Sequence, residues 1–200
     1  MERSIVIAGF GGQGILFTGH VLAEAAMVDG LETLWIPSYG PEMRGGTASC
    51  TVIVGDGPIG SPVVDRADAV IVMNPPSLER FAAVVTPGGL LIVNASLIGA
   101  SSGRSDIEEL RLLCAELAGP AADERLASVV ALGALVELLG PVTIASIRTA
   151  IGTIVGAKRA AVLEADLAAF EAGRAAARPA LDGPASLIAG SRPALAVEAG

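Results

Sequence analysis

Hydrophobic positions fall along the chain first in short continuous runs and later in longer helical spacings. Ser4–Ala8 is an unbroken apolar run rich in β-branched residues, as expected of a strand covered on both faces. Gly9-Phe10-Gly11-Gly12-Gln13-Gly14 ends it, and the spacing then predicts a helix from Gln13 to Val28. Ile15, Leu22 and Ala26 share one face of that helix, Gly19 allows close approach to a sheet, and Gly30 is a C-terminal stop. Thr33–Ile36 reads as a second strand ending at Pro37, which makes a βαβ unit. Ala48–Val54, Ala69–Met73 and Leu90–Asn94 read as further strands, with a short helix after Asn74-Pro75-Pro76-Ser77 and a turn at Pro87-Gly88-Gly89.

The second half changes period. Asp106–Leu117, Asp123–Leu139, Thr143–Ile154 and Lys158–Gly173 all read as helices, with Asp123 as an N-cap and Gly140-Pro141 as a stop and restart. The pattern predicts an α/β fold: an open, Rossmann-like, mostly parallel sheet with helices on both faces and a helical C-terminal part. Residues 1–174 form the expected domain. Residues 175–200, rich in Ala, Pro and Gly, are expected to be a poorly ordered tail.

Composition narrows the function classes. Half of the 200 residues (52%) are hydrophobic, 17% are charged and 3% are aromatic, so the core is aliphatic and a disordered chain is excluded. Thirteen Lys and Arg against twenty-one Asp and Glu give a net charge of −8, with no basic run to displace counterions from a nucleic acid. Ser4–Ala23 is uncharged and long enough to imitate a membrane helix, but it holds five glycines and changes pattern after Ala8. Glu2 offsets Arg3, so no basic leader precedes it, and the reading is a soluble cytoplasmic protein. Cys50 and Cys114 form no CxxC pair and no cluster with His20, so neither a zinc site nor an iron–sulfur cluster is expected on this chain.

Two segments carry candidate chemistry. Gly9, Gly11, Gly12, Gln13 and Gly14 fit G-x-G-x-x-G between a strand and a helix, where glycines let phosphates approach backbone N–H groups. A dinucleotide site also calls for an acid at the end of the second strand, and Ile36, Pro37 and Ser38 stand there. Three readings stay open for the turn: a tight structural corner, an interface, or a phosphate or cofactor contact. Tyr39, Gly40, Pro41, Glu42, Arg44, Gly45 and Gly46 form the second segment, with an aromatic ring, an acid and a guanidinium fork suited to a carboxylate or phosphate. It follows the second strand at the carboxyl edge, so it should lie beside the glycine turn.

Gly-Phe-Gly-Gly-Gln-Gly-Ile, Ser-Tyr-Gly-Pro-Glu-Met-Arg-Gly-Gly-Thr and Ile59-Gly60-Ser61-Pro62 together resemble the γ subunit of 2-oxoacid:ferredoxin oxidoreductases. The resemblance runs from about Met1 to Gly173, and also takes in Met73-Asn74, Gly88–Ser96 and Ala131-Leu132-Gly133. The form of the second motif is closer to the 2-oxoglutarate and branched-chain members than to the pyruvate ones. His20, Ser128 and Asp166 depart from the family, which tends to carry an aliphatic residue, Asn and Asn there. The resemblance implies a complex that oxidatively decarboxylates a 2-oxoacid, 2-oxoglutarate foremost, using thiamine diphosphate with Mg, coenzyme A, iron–sulfur clusters and ferredoxin. It implies α and β partners, with a ferredoxin-like δ subunit in some members, and a γ chain that completes the assembly while other subunits carry the cofactors. The rival reading is a stand-alone nucleotide-binding oxidoreductase of Rossmann type.

Overall fold

A computed structural model describes residues 2–40, 46–119 and 123–181. In chain order the elements are β1 (Glu2–Phe10), α1 (Ile15–Val28), β2 (Glu32–Tyr39), β3 (Thr47–Gly55), β4 (Ala67–Val72), α2 (Pro75–Phe81), β5 (Val85–Asn94), β6 (Glu108–Leu112), α3 (Cys114–Ala118), α4 (Leu126–Leu139), α5 (Ile144–Val155) and α6 (Ala160–Ala177). Six strands form one sheet in the order β2-β3-β1-β4-β5-β6. Five run the same way, and β3 alone is antiparallel to both of its neighbours. The α/β, mostly parallel fold predicted from the sequence is therefore the fold observed.

Alternation along the central strands builds two cores. Ile5, Ile7, Ala69, Ile71, Leu90 and Ile92 face a helical layer of α1, α4, α5 and α6. Val6, Val70, Val72, Leu91 and Val93 face the other way, toward Leu78 of α2, Val85, Ile98 and Ile107. Helices cover both faces, but the long ones are gathered on one. In α4 every residue except Glu137 is buried, the mark of a helix enclosed on all sides. It crosses α6 backbone to backbone: a Cβ on Gly133 would strike the Phe170 carbonyl, and one on Gly173 the Val130 carbonyl.

The end of α1 is a Schellman motif, with Gly30 at φ 73°, its N–H on the Met27 carbonyl at 3.0 Å and the Leu31 N–H on the Ala26 carbonyl at 2.9 Å. Gly19 brings α1 onto the sheet, where a side chain would run into Cys50 Sγ. Across the helical layer, Asp29 accepts hydrogen bonds from the Thr143 N–H and from the Ser146 hydroxyl, tying the end of α1 to the start of α5.

Several sequence expectations need correction. Asp106–Leu117 is not one helix: Glu108–Leu112 is the edge strand β6, paired in parallel with β5, and the helix begins at Cys114. Leu110 and Leu112 meet the helical core, and pairing with β5 prevailed over the helix-forming Glu-Glu-Leu-Arg-Leu-Leu run. β2 passes through Pro37 to Tyr39 because it is an edge strand, where a missing N–H is tolerated. Pro87-Gly88-Gly89 lies inside β5, at a register irregularity opposite Ala67–Ala69. Residues 175–181, expected in the tail, continue α6 to Ala177 and then a 3-10 turn, with Ala177 buried. The rest of the tail lies outside the described residues.

Candidate functional site

The carboxyl ends of β1, β2, β4, β5 and β6 share one edge of the sheet. The chain leaves β1 toward the β2–β3 side and leaves β4 toward β5, so the strand order switches between β1 and β4. Open α/β sheets receive ligands at such a point. Here it is occupied by the glycine turn.

Two constraints call for glycine in the turn. Gly12 and Gly14 have φ of 100° and 78°, a left-handed region that side chains disfavour. At Gly9 a Cβ would sit 2.7 Å from Gln13 Oε1 and 2.6 Å from Ile15 Cδ1. The helix starts at Ile15, two residues later than its spacing suggested, because these left-handed glycines precede it. Gln13 is buried and folds back: its Oε1 accepts from the Phe10 N–H at 2.8 Å and from Asn74 Nδ2 at 3.3 Å. Asn74 in turn caps α2 by accepting the Ser77 N–H at 2.9 Å. One amide thus closes the turn and bridges the ends of β1 and β4.

The described ends of the second segment lie beside the turn. The Gly11 N–H donates to the Gly46 carbonyl at 3.0 Å, and the Gly40 N–H to the Thr47 carbonyl at 2.8 Å, which holds the residues after β2 and before β3 at the corner. Tyr39 is 72% exposed. Pro41, Glu42, Arg44 and Gly45 lie outside the described residues. A recess of about 260 Å³ opens at this corner, lined by Gly11, Gly12 and Gly14 of the turn together with Phe17, Tyr39 and Arg125.

Sequence reasoning did not find Arg125. It comes from the start of α4, more than a hundred residues from the turn, in a polar stretch with no local motif. Its Nη1 donates to Asp166 Oδ1 at 2.7 Å, its guanidinium lies 4.6 Å above the Phe17 ring centroid, and it is the only charged side chain lining the recess among the described residues. Asp166 is fully buried, and desolvation raises its carboxyl pKa above the ordinary value; Arg125 opposes that shift and the charge of Asp123 adds to it. Ser128 is placed as tightly, its hydroxyl 2.8 Å from that of Thr18 on α1 and donating to the Arg125 carbonyl. The two departures from the family pattern on α4 and α6 therefore both serve to seat Arg125. The third, His20, stacks on Trp35 with centroids 4.9 Å apart.

Neither cysteine is poised for chemistry. Burial pushes both thiols up to about 12, and Cys50 on β3 is separated from Cys114, beyond β6, by the width of the sheet. The sheet order also bears on dinucleotide binding. β3 occupies the place beside β1, so the end of β2 stands two strand spacings from the turn, about 10 Å.

Comparison with known proteins agrees with this geometry. The model of the pyruvate ferredoxin/flavodoxin oxidoreductase family matches residues 4–176. Ketoisovalerate oxidoreductase subunit VorA of Methanothermobacter thermautotrophicus is 38% identical over 184 residues, 91% of this chain and 38% of that protein. The 2-oxoglutarate synthase subunit KorC of Methanothermobacter marburgensis is 34% identical over 183 residues, covering 87% of this chain and 96% of that one. The crystal structure of a keto/oxoacid ferredoxin oxidoreductase γ subunit from Geobacter sulfurreducens superposes with a TM-score of 0.76 at 30% identity, over 88% of this chain and 99% of that one. The chain belongs to the pyruvate ferredoxin/flavodoxin oxidoreductase family, and within it to the γ-subunit type. It spans well under half the length of the VorA relatives it matches.

Proposed function

We propose that this chain is the γ subunit of a cytoplasmic 2-oxoacid:ferredoxin oxidoreductase that converts 2-oxoglutarate to succinyl-coenzyme A and passes the electrons to ferredoxin. The observation that carries the choice of substrate is the two-way match with KorC, a separate chain of nearly the same extent, where VorA is much longer. Thiamine diphosphate, Mg and the iron–sulfur clusters belong on the α, β and ferredoxin-like partners. Two buried thiols at opposite ends of a sheet do not fit a cluster. No helix among the described residues is long and apolar enough to cross a membrane, in keeping with an assembly free in the cytoplasm.

In this reading the chain contributes its glycine corner and Tyr39–Gly46 loop to the assembly and carries no bond-making step. Exposed Tyr39 and the Phe17–Arg125 stack are side-chain types that anchor interfaces. The test is the assembled complex assayed anaerobically for coenzyme A-dependent reduction of a viologen. 2-Oxoglutarate should be turned over well ahead of pyruvate and 2-oxoisovalerate, and a preference for 2-oxoisovalerate would move the assignment to the branched-chain class. The stand-alone dehydrogenase reading predicts saturable NAD(P)H binding by the isolated chain. The displaced end of β2, without an acid, predicts none.

A further inference from the structure

α1 turns an apolar face to solvent. Every residue of the helix is buried except Leu16, Phe17, His20, Glu24, Met27 and Val28, and the helical repeat gathers these six into one stripe. Glu24 is its one acid, where the outer face of a surface helix is ordinarily polar. Trp35, Pro37 and Tyr39 alternate along the edge strand β2 on the same side, and the Trp35 ring stacks on His20. Met27, Val28, Trp35 and Tyr39 are 55, 47, 36 and 72% exposed, and they are half of the large hydrophobic side chains that the described residues leave outside, so the exposure is clustered and not scattered. With Leu16, Phe17 and Pro37 they present roughly 500 Å² of apolar surface, the apolar share of a standard interface that takes about 800 Å² from each partner. Glu24 makes no hydrogen bond or ion pair among the described residues, and His20 makes no contact of that kind beyond its stack on Trp35.

We infer that this face binds a second copy of the chain, with the two α1 helices antiparallel about a two-fold axis at the level of Leu22. The spacing of the stripe carries the inference, because it reads the same from both ends. About Leu22, Leu16 mirrors Val28, Phe17 mirrors Met27 and His20 mirrors Glu24. Two-fold pairing requires such self-complementarity, residue i of one copy meeting j of the other and j meeting i. It sets Leu16 on Val28 and Phe17 on Met27 at both ends, and gives a ring N–H of each His20 the Glu24 carboxylate of the other copy. Two chains of net charge −8 meet there with one acid apiece in the stripe, each answered by an imidazole. Pro37 in the edge strand disfavours the addition of a further strand to β2, so side chains make the contact, with Trp35 and Tyr39 flanking the helices. His20 stands where the family tends to carry an aliphatic residue, so the polar centre of the stripe belongs to this chain and not to γ subunits at large. The inference stands apart from the γ reading: a γ chain paired in this way joins two copies of its complex.

The test is sedimentation of the purified full-length chain over a wide concentration range, read together with the emission of Trp35, its one tryptophan. A monomer–dimer equilibrium is expected, with Trp35 emission moving to shorter wavelength as the dimer forms. Met27 is exposed, so Met27→Glu leaves the fold intact; it sets an acid against Phe17 of the other copy and should weaken the dimer by at least about tenfold. His20→Glu and Glu24→Lys test the reciprocal pairing. The first sets two acids across the axis and the second faces the His20 donor with a cation, so each chain alone should be monomeric. Mixed in equal amounts they restore an opposite pair at both positions and should dimerise again, whereas damage confined to either chain would leave the mixture monomeric. A parent chain that is monomeric at every concentration, a dimer that Met27→Glu leaves unchanged, or a mixture of the two charge variants that stays monomeric overturns the inference. These outcomes are separate from the γ assignment, because a monomeric chain can still co-purify with its partners.

Discussion

Gln13 and Arg125 flank the corner from positions more than a hundred residues apart, and the glycines of the turn set what substitution can do. Gly12→Ala puts a methyl into open space at φ 100°, so only the left-handed penalty applies, about 1–2 kcal/mol. Gly14→Ala adds to that penalty contacts of 2.6 Å with Arg125 Cγ and 2.8 Å with the Arg125 carbonyl. Urea unfolding should show Gly14→Ala as the costlier by about 1–3 kcal/mol, and equal costs would contradict the packing described. Asp166 gives a pH prediction. Its folded pKa is raised, so its contribution to stability is full below the unfolded value and is lost as pH climbs through the folded one. Asp166→Asn keeps an acceptor for Arg125 and removes that loss. At pH 7 it should unfold within about 1 kcal/mol of the parent or later, and a drop of about 3 kcal/mol would show the ion pair to be a net stabiliser. The glycine turn was legible at this scale because its pattern is local. Arg125 and Asp166 were not, since nothing near either in sequence marks a partner 41 residues away.

At the scale of elements, runs of apolar residues predicted β1, β3, β4 and β5 because those strands carry runs of buried residues, while the edge strand β2 showed itself through the short Thr33–Ile36 run. β6 escaped notice because it is an edge strand with Glu108, Glu109 and Arg111, side chains that keep an edge from pairing further and also suit a helix. Its strand character comes from β5, not from its own residues. The crossing of α4 and α6 is the element contact most open to test. Gly133→Ala and Gly173→Ala each drive a methyl into the backbone of the facing helix, so either should lower the thermal midpoint sharply. Gly152→Ala in α5 meets nothing within 4 Å and should raise stability by about 0.4–1 kcal/mol. If all three behave alike, the close approach of α4 and α6 is wrong.

For the whole molecule, the sequence conveyed the α/β class and the meeting of its two motifs at one sheet edge, and the structure shows both. It did not convey the antiparallel β3 set between β1 and β2, because strand order depends on pairings that no periodicity records. That insertion sets Gly46, just before β3, against the glycine turn, where the Gly11–Gly46 hydrogen bond joins the two motifs. It also moves β2 away from the place a dinucleotide fold needs it. The result is a γ-type domain whose two motifs meet at one corner of the sheet and whose two cysteines are buried. The most direct measurement is anaerobic purification of the tagged chain from its own cells, followed by identification of what elutes with it. The account predicts larger partner subunits in fixed ratio and coenzyme A-dependent 2-oxoacid oxidation in the same fractions. A chain that elutes alone, without that activity, and binds NAD(P)H would contradict it.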